Sequence, residues 1–600
     1  MGVNRRQHSK RAAYLCVLVL LSSCLQHEDP RPQPPDTTLS TFTLSYGELN
    51  PPFQANLTEY TLEVPFLVTS LRVTAVASEP TTTITVDGVA VVPGVESRPL
   101  ALEADTTTVE IVVTAADGVT TQAYHVTVTR QSITQFAQRA YVKASNSAGG
   151  DLFGHAVALS GDTLVVGAPY EDSSDSGVDA DQTDNSASLA GAAYVFVRDG
   201  STWTQQAYLK ASNAGAGDQF GYSVALSGDV LAIGAPNEDS SAVGVNSGGQ
   251  ADNGAAASGA AYVFVRNGTT WTQQAYLKAS NTGAGDQFGT AVAVSGETLA
   301  VGAHLERSAA AGVNGNQSDD SAAGAGAVYV FERDGVTWSQ QAYLKASNAQ
   351  AADNFGWSLA LSADTLAVGA RDEDSAATGV NGNQADDSAP LSGAVYVFVR
   401  DGDAWSQQAY IKASNTDSVD RFGWSVALAG ETLVVGAPDF SSVTTFGANP
   451  SANGVDLAGT VYVFERDGTT WTQQAYVTAS NAQADDRFGF DVALSGDMLV
   501  VGAIFEDSAS PGINTGNQLD DSLRDAGAAY LFERVGTVWE QRAYLKASNP
   551  GRIDALGYGV DVDNDTVVLS APGEASSATG IDGDQADDMG NLSGAVYVFR

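Results

Sequence analysis

The stretch that decides the fold is Asp218-Gln-Phe-Gly-Tyr-Ser-Val-Ala-Leu-Ser-Gly-Asp-Val-Leu-Ala-Ile-Gly-Ala-Pro236. It contains a Phe-Gly pair, a short alternating strand, a Ser-Gly-Asp turn, a second apolar strand and a Gly-Ala-Pro ending, a pattern that predicts a β-hairpin. The same start recurs at Phe153, Phe288, Phe355, Phe422, Phe488 and Leu556. Successive starts lie 67, 68, 67, 67, 66 and 68 residues apart, so the chain is a repeat architecture.

Each full repeat contains four strand-like runs. In the second repeat these are Tyr222-Ser-Val-Ala-Leu226, Leu231-Ala-Ile-Gly234, Ala260-Ala-Tyr-Val-Phe-Val-Arg266 and Trp271-Thr-Gln-Gln-Ala-Tyr-Leu277. Asn267-Gly268 joins the last two and is a strong hairpin signal with positive φ. Four antiparallel strands in each of seven repeats predict an all-β chain with a seven-bladed β-propeller.

The last repeat lacks its fourth strand. The chain given stops at Arg600, after the third strand of that repeat, whereas the segment from Phe136 to Ser145 aligns with the fourth strand from Trp203 to Ser212. The N-terminal strand is therefore predicted to complete the seventh blade, which leaves no sheet edge unpaired at the seam.

The paired motifs resemble FG-GAP repeats, which occur in integrin α-subunits and in many bacterial surface proteins. Phe153-Gly154 with Gly167-Ala-Pro169, and the equivalent pairs beginning at Phe220 and Phe422, match fully, and the resemblance covers residues 131–600. It implies a propeller used for adhesion or recognition. The calcium loop that integrin-type repeats often carry between their first two strands is replaced here by short turns such as Ser227-Gly-Asp229.

Residues 39–130 have a different composition, with short runs rich in Thr, Val and Ile that predict a small β-sandwich. The runs include Tyr60-Thr-Leu-Glu-Val64 and Tyr124-His-Val-Thr-Val128. This segment resembles the bacterial cadherin-like β-sandwich family, and the resemblance implies a spacer or adhesion module rather than a catalyst.

The first residues indicate export. Four basic residues precede the apolar run from Ala12 to Leu21, which is too short to span a bilayer and reads as a signal peptide over residues 1–23. Leu21-Ser-Ser-Cys24 resembles a bacterial lipobox, which implies lipidation of Cys24 and anchoring at the cell envelope, with ordinary secretion or a retained helix as alternatives. Residues 24–38 are Pro-rich and predict an extended tether.

The charge of the chain limits its partners. The 600 residues carry a net charge of −41, with 29 Lys and Arg against 70 Asp and Glu. Nucleic-acid binding is therefore disfavoured, since phosphate contacts need clustered Lys and Arg. The acidity is otherwise explained by solubility or by cation binding.

Two groups of carboxylates are candidates for calcium. Asp561-Val-Asp563-Asn-Asp565 approaches the spacing of a hard-cation loop. The long loops between the second and third strands repeat acidic pairs at Asp386-Asp387, Asp520-Asp521 and Asp587-Asp588. The alternative for both groups is a solvated turn in which Asn, Asp and Gly act as turn formers.

A third candidate is the variable residue after each Phe-Gly pair, because the first strand of a propeller blade lines the central channel. Trp357 and Trp424 in adjacent blades, with Phe490 and Tyr558, could form a stacking surface for a sugar or a peptide. The alternative is core packing. No zinc spacing, nucleophile elbow or phosphate loop is visible, so we expect no enzyme.

These features predict a cell-envelope lipoprotein that recognises a protein or glycan through the propeller face bearing the long loops. Two alternatives remain: a structural scaffold that holds another subunit, and a polysaccharide-acting enzyme on a propeller.

Overall fold

The computed structural model describes residues 35–441 and 456–600. The predicted signal peptide, Cys24 and most of the predicted tether lie outside the described residues. No helix within the described ranges is long and apolar enough to cross a bilayer.

The N-terminal unit is built from strands whose buried side chains face one core. Its five-stranded sheet has the order Glu59–Val64, Thr121–Arg130, Thr106–Thr114, Thr83–Val86, Val89–Val91. Two shorter sheets pair Leu39–Leu44 with Val73–Ala77 and Ser70–Leu71 with Leu100–Ala101. In Glu59–Val64 every second residue is buried, the period of two expected of a strand with one face on the core.

Seven four-stranded antiparallel sheets follow, one for each predicted blade. Blades 1 to 3 contain Ala156–Ser160, Thr163–Ala168, Ala192–Asp199 and Thr202–Leu209; Ser223–Ser227, Val230–Ala235, Ala260–Asn267 and Thr270–Leu277; Val292–Ser295, Thr298–Ala303, Ala327–Asp334 and Thr337–Leu344. Blades 4 to 6 contain Phe355–Ser362, Thr365–Ala370, Ala394–Asp401 and Ala404–Ile411; Ser425–Ala429, Thr432–Ala437, Thr460–Asp467 and Thr470–Val477; Phe488–Ser495, Met498–Ala503, Ala528–Val535 and Val538–Leu545.

Blade 7 takes strands from both ends of the described chain. Val560–Asp563, Thr566–Ala571 and Ala595–Phe599 are completed by Gln138–Val142, which pairs antiparallel with Ala595–Phe599. The predicted origin of the missing strand is confirmed. A short 3-10 helix, Ile133–Gln135, connects the sandwich to this strand.

The glycines of both motifs meet where neighbouring blades come closest. A Cβ added to Gly167 would lie 2.0 Å from the carbonyl oxygen of Gly221, and Gly221 itself has a φ of +89°. Side chains are therefore excluded at both positions, which explains why the Phe-Gly and Gly-Ala pairs recur together.

The repeated tryptophans of the fourth strands lie between blades. Trp271 of blade 2 is buried and its indole N–H donates to Oε1 of Gln206 in blade 1 at 2.8 Å. Positive φ in the outer hairpin turns is confined to the glycine, as at Gly268, so Asn267 belongs to the strand and not to the turn.

The sandwich is docked on the propeller. Arg130 and Glu533 form a buried ion pair at 2.5 Å, and the Tyr46 hydroxyl donates to Asp565 at 2.6 Å. Leu67 belongs to the same apolar cluster as Phe136 of the propeller. The two units therefore share polar and apolar contacts at blades 6 and 7.

Candidate ligand-binding face of the propeller

The long loops and the Asp-x-Phe-Gly loops lie on one face. The backbone N–H groups of Gln219 and Phe220 donate to the carbonyls of Leu189 and Ala190 in the long loop of the preceding blade, at 3.0 Å each. These contacts hold the two sets of loops together on the same face.

The residues that follow Phe-Gly form a ring at the mouth of the central channel. Its members are His155, Tyr222, Thr290, Trp357, Trp424, Phe490 and Tyr558. Adjacent aromatic rings have centroids 4.6 to 5.5 Å apart, a spacing typical of aromatic pairs. The cavity that they line encloses about 460 Å³.

The two tryptophans of this ring are adjacent but not coplanar, and an arginine covers them. Their centroids are 5.5 Å apart with the planes tilted by 52°. The guanidinium carbon of Arg371 lies 3.3 Å from the centroid of Trp357 and 4.8 Å from that of Trp424, a cation–π arrangement. One face of the predicted stacking surface is thus occupied by Arg371, and ligand binding by Trp357, Trp424, Phe490 and Tyr558 stays a prediction.

Charged residues alternate around the same mouth. Arg371 pairs with Asp372 at 3.3 Å, and Arg421 pairs with Asp372 at 3.5 Å and with Asp439 at 3.0 Å. Arg487 also pairs with Asp439. These charged residues belong to blades 4 to 6, so they lie on one side of a mouth whose ring is aromatic at every position except Thr290.

Sequence reasoning did not select Arg371 or His304. Both stand where the complete motif has the proline of Gly-Ala-Pro, and that departure was the available signal. Nδ1 of His304 lies 3.1 Å from the Thr290 hydroxyl. Burial lowers the pKa of His304 to about 4, so its ring is neutral at pH 7.

The seven Asp residues of Asp-x-Phe-Gly have a structural role. Each accepts a hydrogen bond from the backbone N–H three residues earlier, at 2.6 to 3.0 Å, and so closes its turn. Burial is the main cause that raises their pKa to about 7 or 8. Among the described residues they form no ion pair with the lysines of the Lys-Ala-Ser-Asn motif that follows most fourth strands.

Those lysines pair instead with the glutamates of the long loops. Six ion pairs are buried within single blades at 2.7 to 2.9 Å: Lys143–Glu574, Lys210–Glu171, Lys278–Glu238, Lys345–Glu306, Lys412–Glu373 and Lys546–Glu506. These glutamates of the long loops are therefore interior residues and are not available to a ligand.

Each buried glutamate also joins two blades. Glu306 accepts from the Tyr343 hydroxyl of its own blade at 3.0 Å and from the Asn281 amide of the preceding blade at 2.9 Å. Blade 5 has Phe440 and Thr478 at the places of the glutamate and the lysine, so both charges are absent together. Residues 442–455 of its long loop lie outside the described residues.

The three carboxylates nearest a calcium spacing are used within the protein. Asp561 accepts from the Leu159 N–H at 2.7 Å, and Asp563 accepts from the Gly161 N–H at 2.6 Å, which joins blade 7 to blade 1. Asp565 is held by Tyr46, Arg198 and Arg600 on the sandwich side. All three carboxylates are therefore engaged by groups of the protein itself, and calcium binding by Asp561, Asp563 and Asp565 stays a prediction.

The acidic pairs of the long loops are separated by blade. Asp387 accepts from the Gln350 amide at 3.2 Å, and Asp521 accepts from the Gln483 amide at 2.7 Å. Asp386, Asp520 and Asp587 accept from backbone or hydroxyl groups of their own loops, and Asp588 lies near Asp554. Within 35–441 and 456–600 no three His, Cys, Asp or Glu side chains are grouped to hold a metal ion. Calcium binding stays a prediction.

Seven repeated blades, a sandwich domain and a ring at the channel mouth define a propeller repeat protein. Comparison with known families matches residues 136–196, 203–264, 271–331, 338–398, 405–464, 471–532 and 539–599 to the FG-GAP repeat. Residues 36–131 match the cadherin-like beta sandwich domain. The chain belongs to the FG-GAP repeat family and carries a cadherin-like domain before the repeats.

Similar proteins add little beyond the fold. A putative membrane protein of Evansella cellulosilytica is 36% identical over 100 residues, which are 17% of this chain and 15% of that protein. A prolyl endopeptidase structure is 10% identical, with a TM-score of 0.34, over 84% of this chain and 55% of that one. PorZ of Porphyromonas gingivalis, a surface component of the type-IX secretion system, is 10% identical, with a TM-score of 0.19, over 86% and 70%.

Proposed function

We propose that this chain is a non-catalytic recognition protein of the bacterial cell envelope that binds a protein or glycan through the long-loop face of its propeller. The observation that carries the proposal is the aromatic ring at the channel mouth, edged by Arg371, Arg421 and Arg487. Aromatic and arginine side chains are the ones most enriched at binding hot spots.

Surface location is supported by the family and by the N-terminal sequence. The FG-GAP and cadherin-like domains, together with the predicted lipobox at Cys24, favour a lipid-anchored protein exposed at the envelope. Labelling of the full chain with a radioactive fatty acid, lost in Cys24→Ala, tests the anchor; undiminished labelling of the variant would contradict it.

The binding site is tested with a glycan and matrix-protein screen of the purified protein. Trp424→Ala is expected to reduce binding of any hit at least about tenfold, because it removes an aromatic anchor and the support of Arg371. Val336→Ala is the control, since Val336 is 76% exposed in a turn of the opposite face. A screen without hits, or equal binding by both variants, would count against the proposal.

Calcium dependence is a separate part of the proposal and concerns the long loops. A metal that binds only the folded state raises the unfolding temperature by mass action. The melting temperature is therefore measured with calcium and with EDTA, for the unmodified protein and for Asp386→Asn with Asp387→Asn. Equal melting temperatures in calcium and in EDTA would show that these loops are solvated turns.

A further inference from the structure

One contact between neighbouring blades recurs five times. The indole N–H of the outer-strand tryptophan donates to a glutamine of the preceding blade, at 2.6 to 3.1 Å. The pairs are Trp271–Gln206, Trp338–Gln274, Trp405–Gln341, Trp471–Gln408 and Trp539–Gln474. A buried indole N–H needs such an acceptor.

Arginine replaces the glutamine at the two remaining boundaries. Between blades 6 and 7 no acceptor is needed, because Phe136 stands at the tryptophan position and has no N–H. Arg542, at the glutamine position, pairs with Glu533 at 2.7 Å. Between blades 7 and 1 an acceptor is still needed. Trp203 keeps its N–H, but Arg139 stands at the place of its acceptor, and a guanidinium can only donate.

A second donor at the same boundary lacks its usual partner. Nη1 of Arg266 donates to the Thr163 hydroxyl of the preceding blade at 2.8 Å. The equivalent hydroxyl for Arg198 is that of Thr566, which bonds to Asp565 instead. The Arg198 side chain is 9% exposed, and its Nη1 is buried without a hydrogen-bond partner among the described residues.

These donors line one cavity. It encloses about 270 Å³ between the sandwich and blades 7 and 1, and its lining includes Pro65, Arg139, Arg198, Trp203, Val598 and Arg600. Asp162 and Asp565 pair with Arg198, and Asp565 also pairs with Arg600. Arg139 donates to main-chain oxygens of Gln135 and Arg600. Three guanidinium groups thus line the cavity, and Nη1 of Arg198 is the donor that has no partner among the described residues.

We propose that this cavity binds a carboxylate carried on a small body, such as an acidic sugar or the C-terminus of a peptide. The arginine fork suits the two oxygens of a carboxylate, and the Trp203 N–H supplies one more donor. Pro65 and Val598 offer apolar contact to the remainder of the ligand, for which the cavity has room. The site lies at the end of the propeller opposite the aromatic ring, so it does not depend on the function proposed for that ring.

Calorimetry of the full chain at pH 7 tests the proposal. The probes are glucuronate and a short peptide with a free C-terminus, each compared with its neutral counterpart, glucose and the amidated peptide. Saturable binding of at least one acid and of neither neutral compound is expected. No binding of either acid, or an equal affinity for inorganic phosphate, would overturn the assignment.

The variant Arg139→Gln makes the test specific. This variant restores the glutamine found at the other five boundaries, so the fold should be retained. The affinity for the acid should fall at least about tenfold, because one charged donor is lost and the new glutamine accepts the Trp203 N–H. Arg542→Gln is the matched control at the other boundary and should leave acid affinity unchanged. Equal affinities of the unmodified protein and Arg139→Gln would overturn the proposal.

Discussion

The buried glutamates show how single residues constrain each blade. Glu306 is buried and surrounded by donors, and Lys345 at 2.8 Å is the one cation that pairs with it among the described residues. Taking both charges out of water is costly, but leaving one of them alone is costlier still. Blade 5 conforms to this rule, because Phe440 and Thr478 replace both members of the pair.

Lys345→Met should therefore destabilise the protein strongly. The change leaves Glu306 buried without its cation, which costs about 3–5 kcal/mol in comparable buried pairs. Thermal unfolding is the measurement. The double change Glu306→Phe with Lys345→Thr copies blade 5 and should lose less stability than Lys345→Met, and a double variant that is less stable than the single one would contradict the account.

The turn-closing aspartates should make stability depend on pH. Burial raises the pKa of Asp353 to about 8, above the value of 3.8 expected when unfolded. A raised carboxyl pKa contributes stability at low pH, and this contribution is lost as the pH rises through the folded value, with about 1.4 kcal/mol for each pKa unit. Ionisation of Asp353 should thus lower the unfolding temperature as the pH rises from 5 to 8.

Asp353→Asn isolates that effect. The amide can still accept from the Gln350 N–H but cannot ionise, so the variant should melt higher than the unmodified protein at pH 8 and show no such gain at pH 5. Asp403→Asn in an exposed turn is the control and should show no gain at either pH. A gain of equal size at both values would rule out titration of Asp353 as the cause.

At the scale of elements, the strand Gln138–Val142 holds the seam. It pairs with Ala595–Phe599, its Tyr141 hydroxyl donates to Glu574 at 2.8 Å, and the following Lys143 forms the ion pair of that blade. Deletion of residues 131–145 should lower the melting temperature and cause aggregation, because it exposes a strand edge and leaves Glu574 without a cation. Light scattering after size exclusion measures this.

A chain that begins at residue 131 is the control for the deletion. It lacks the sandwich but keeps the seam strand, so it should remain more monodisperse than the deletion variant. Equal aggregation of the two would assign the effect to loss of the sandwich instead of loss of the strand.

Elements and their order could be predicted because the period, the turn residues and the alternation act locally. The seam strand followed from the alignment of Phe136 to Ser145 with a fourth strand, and the ring at the channel mouth followed from the position after Phe-Gly. The partner of Glu306 could not be found in this way, since Lys345 is 39 residues away and equally compatible with a turn aspartate. Arg371 over the tryptophans also depends on side-chain geometry that no local pattern encodes.

At the scale of the whole molecule, the sandwich is more than a spacer on a flexible joint. Arg130, the last residue of its longest strand, donates to Glu533 of blade 6 and to the Phe66 carbonyl, and its guanidinium lies 4.8 Å from the Phe66 ring. Glu533 also binds Arg542, so one carboxylate joins the two domains. These contacts predict a docked arrangement of the two domains.

Glu533→Gln should release that joint. The change removes the charge that holds Arg130, whose side chain is 2% exposed, and an unpaired buried charge costs about 3–5 kcal/mol. The docked state then becomes less stable relative to an undocked state in which Arg130 is hydrated. Small-angle scattering should show a larger radius of gyration, and proteases should cleave the chain faster near residue 131. Glu332→Gln alters the same repeat position in blade 3, away from the sandwich, and should leave both readouts unchanged. Identical scattering by all three proteins would show that the apolar contact of Leu67 with the propeller is sufficient to hold the domains together.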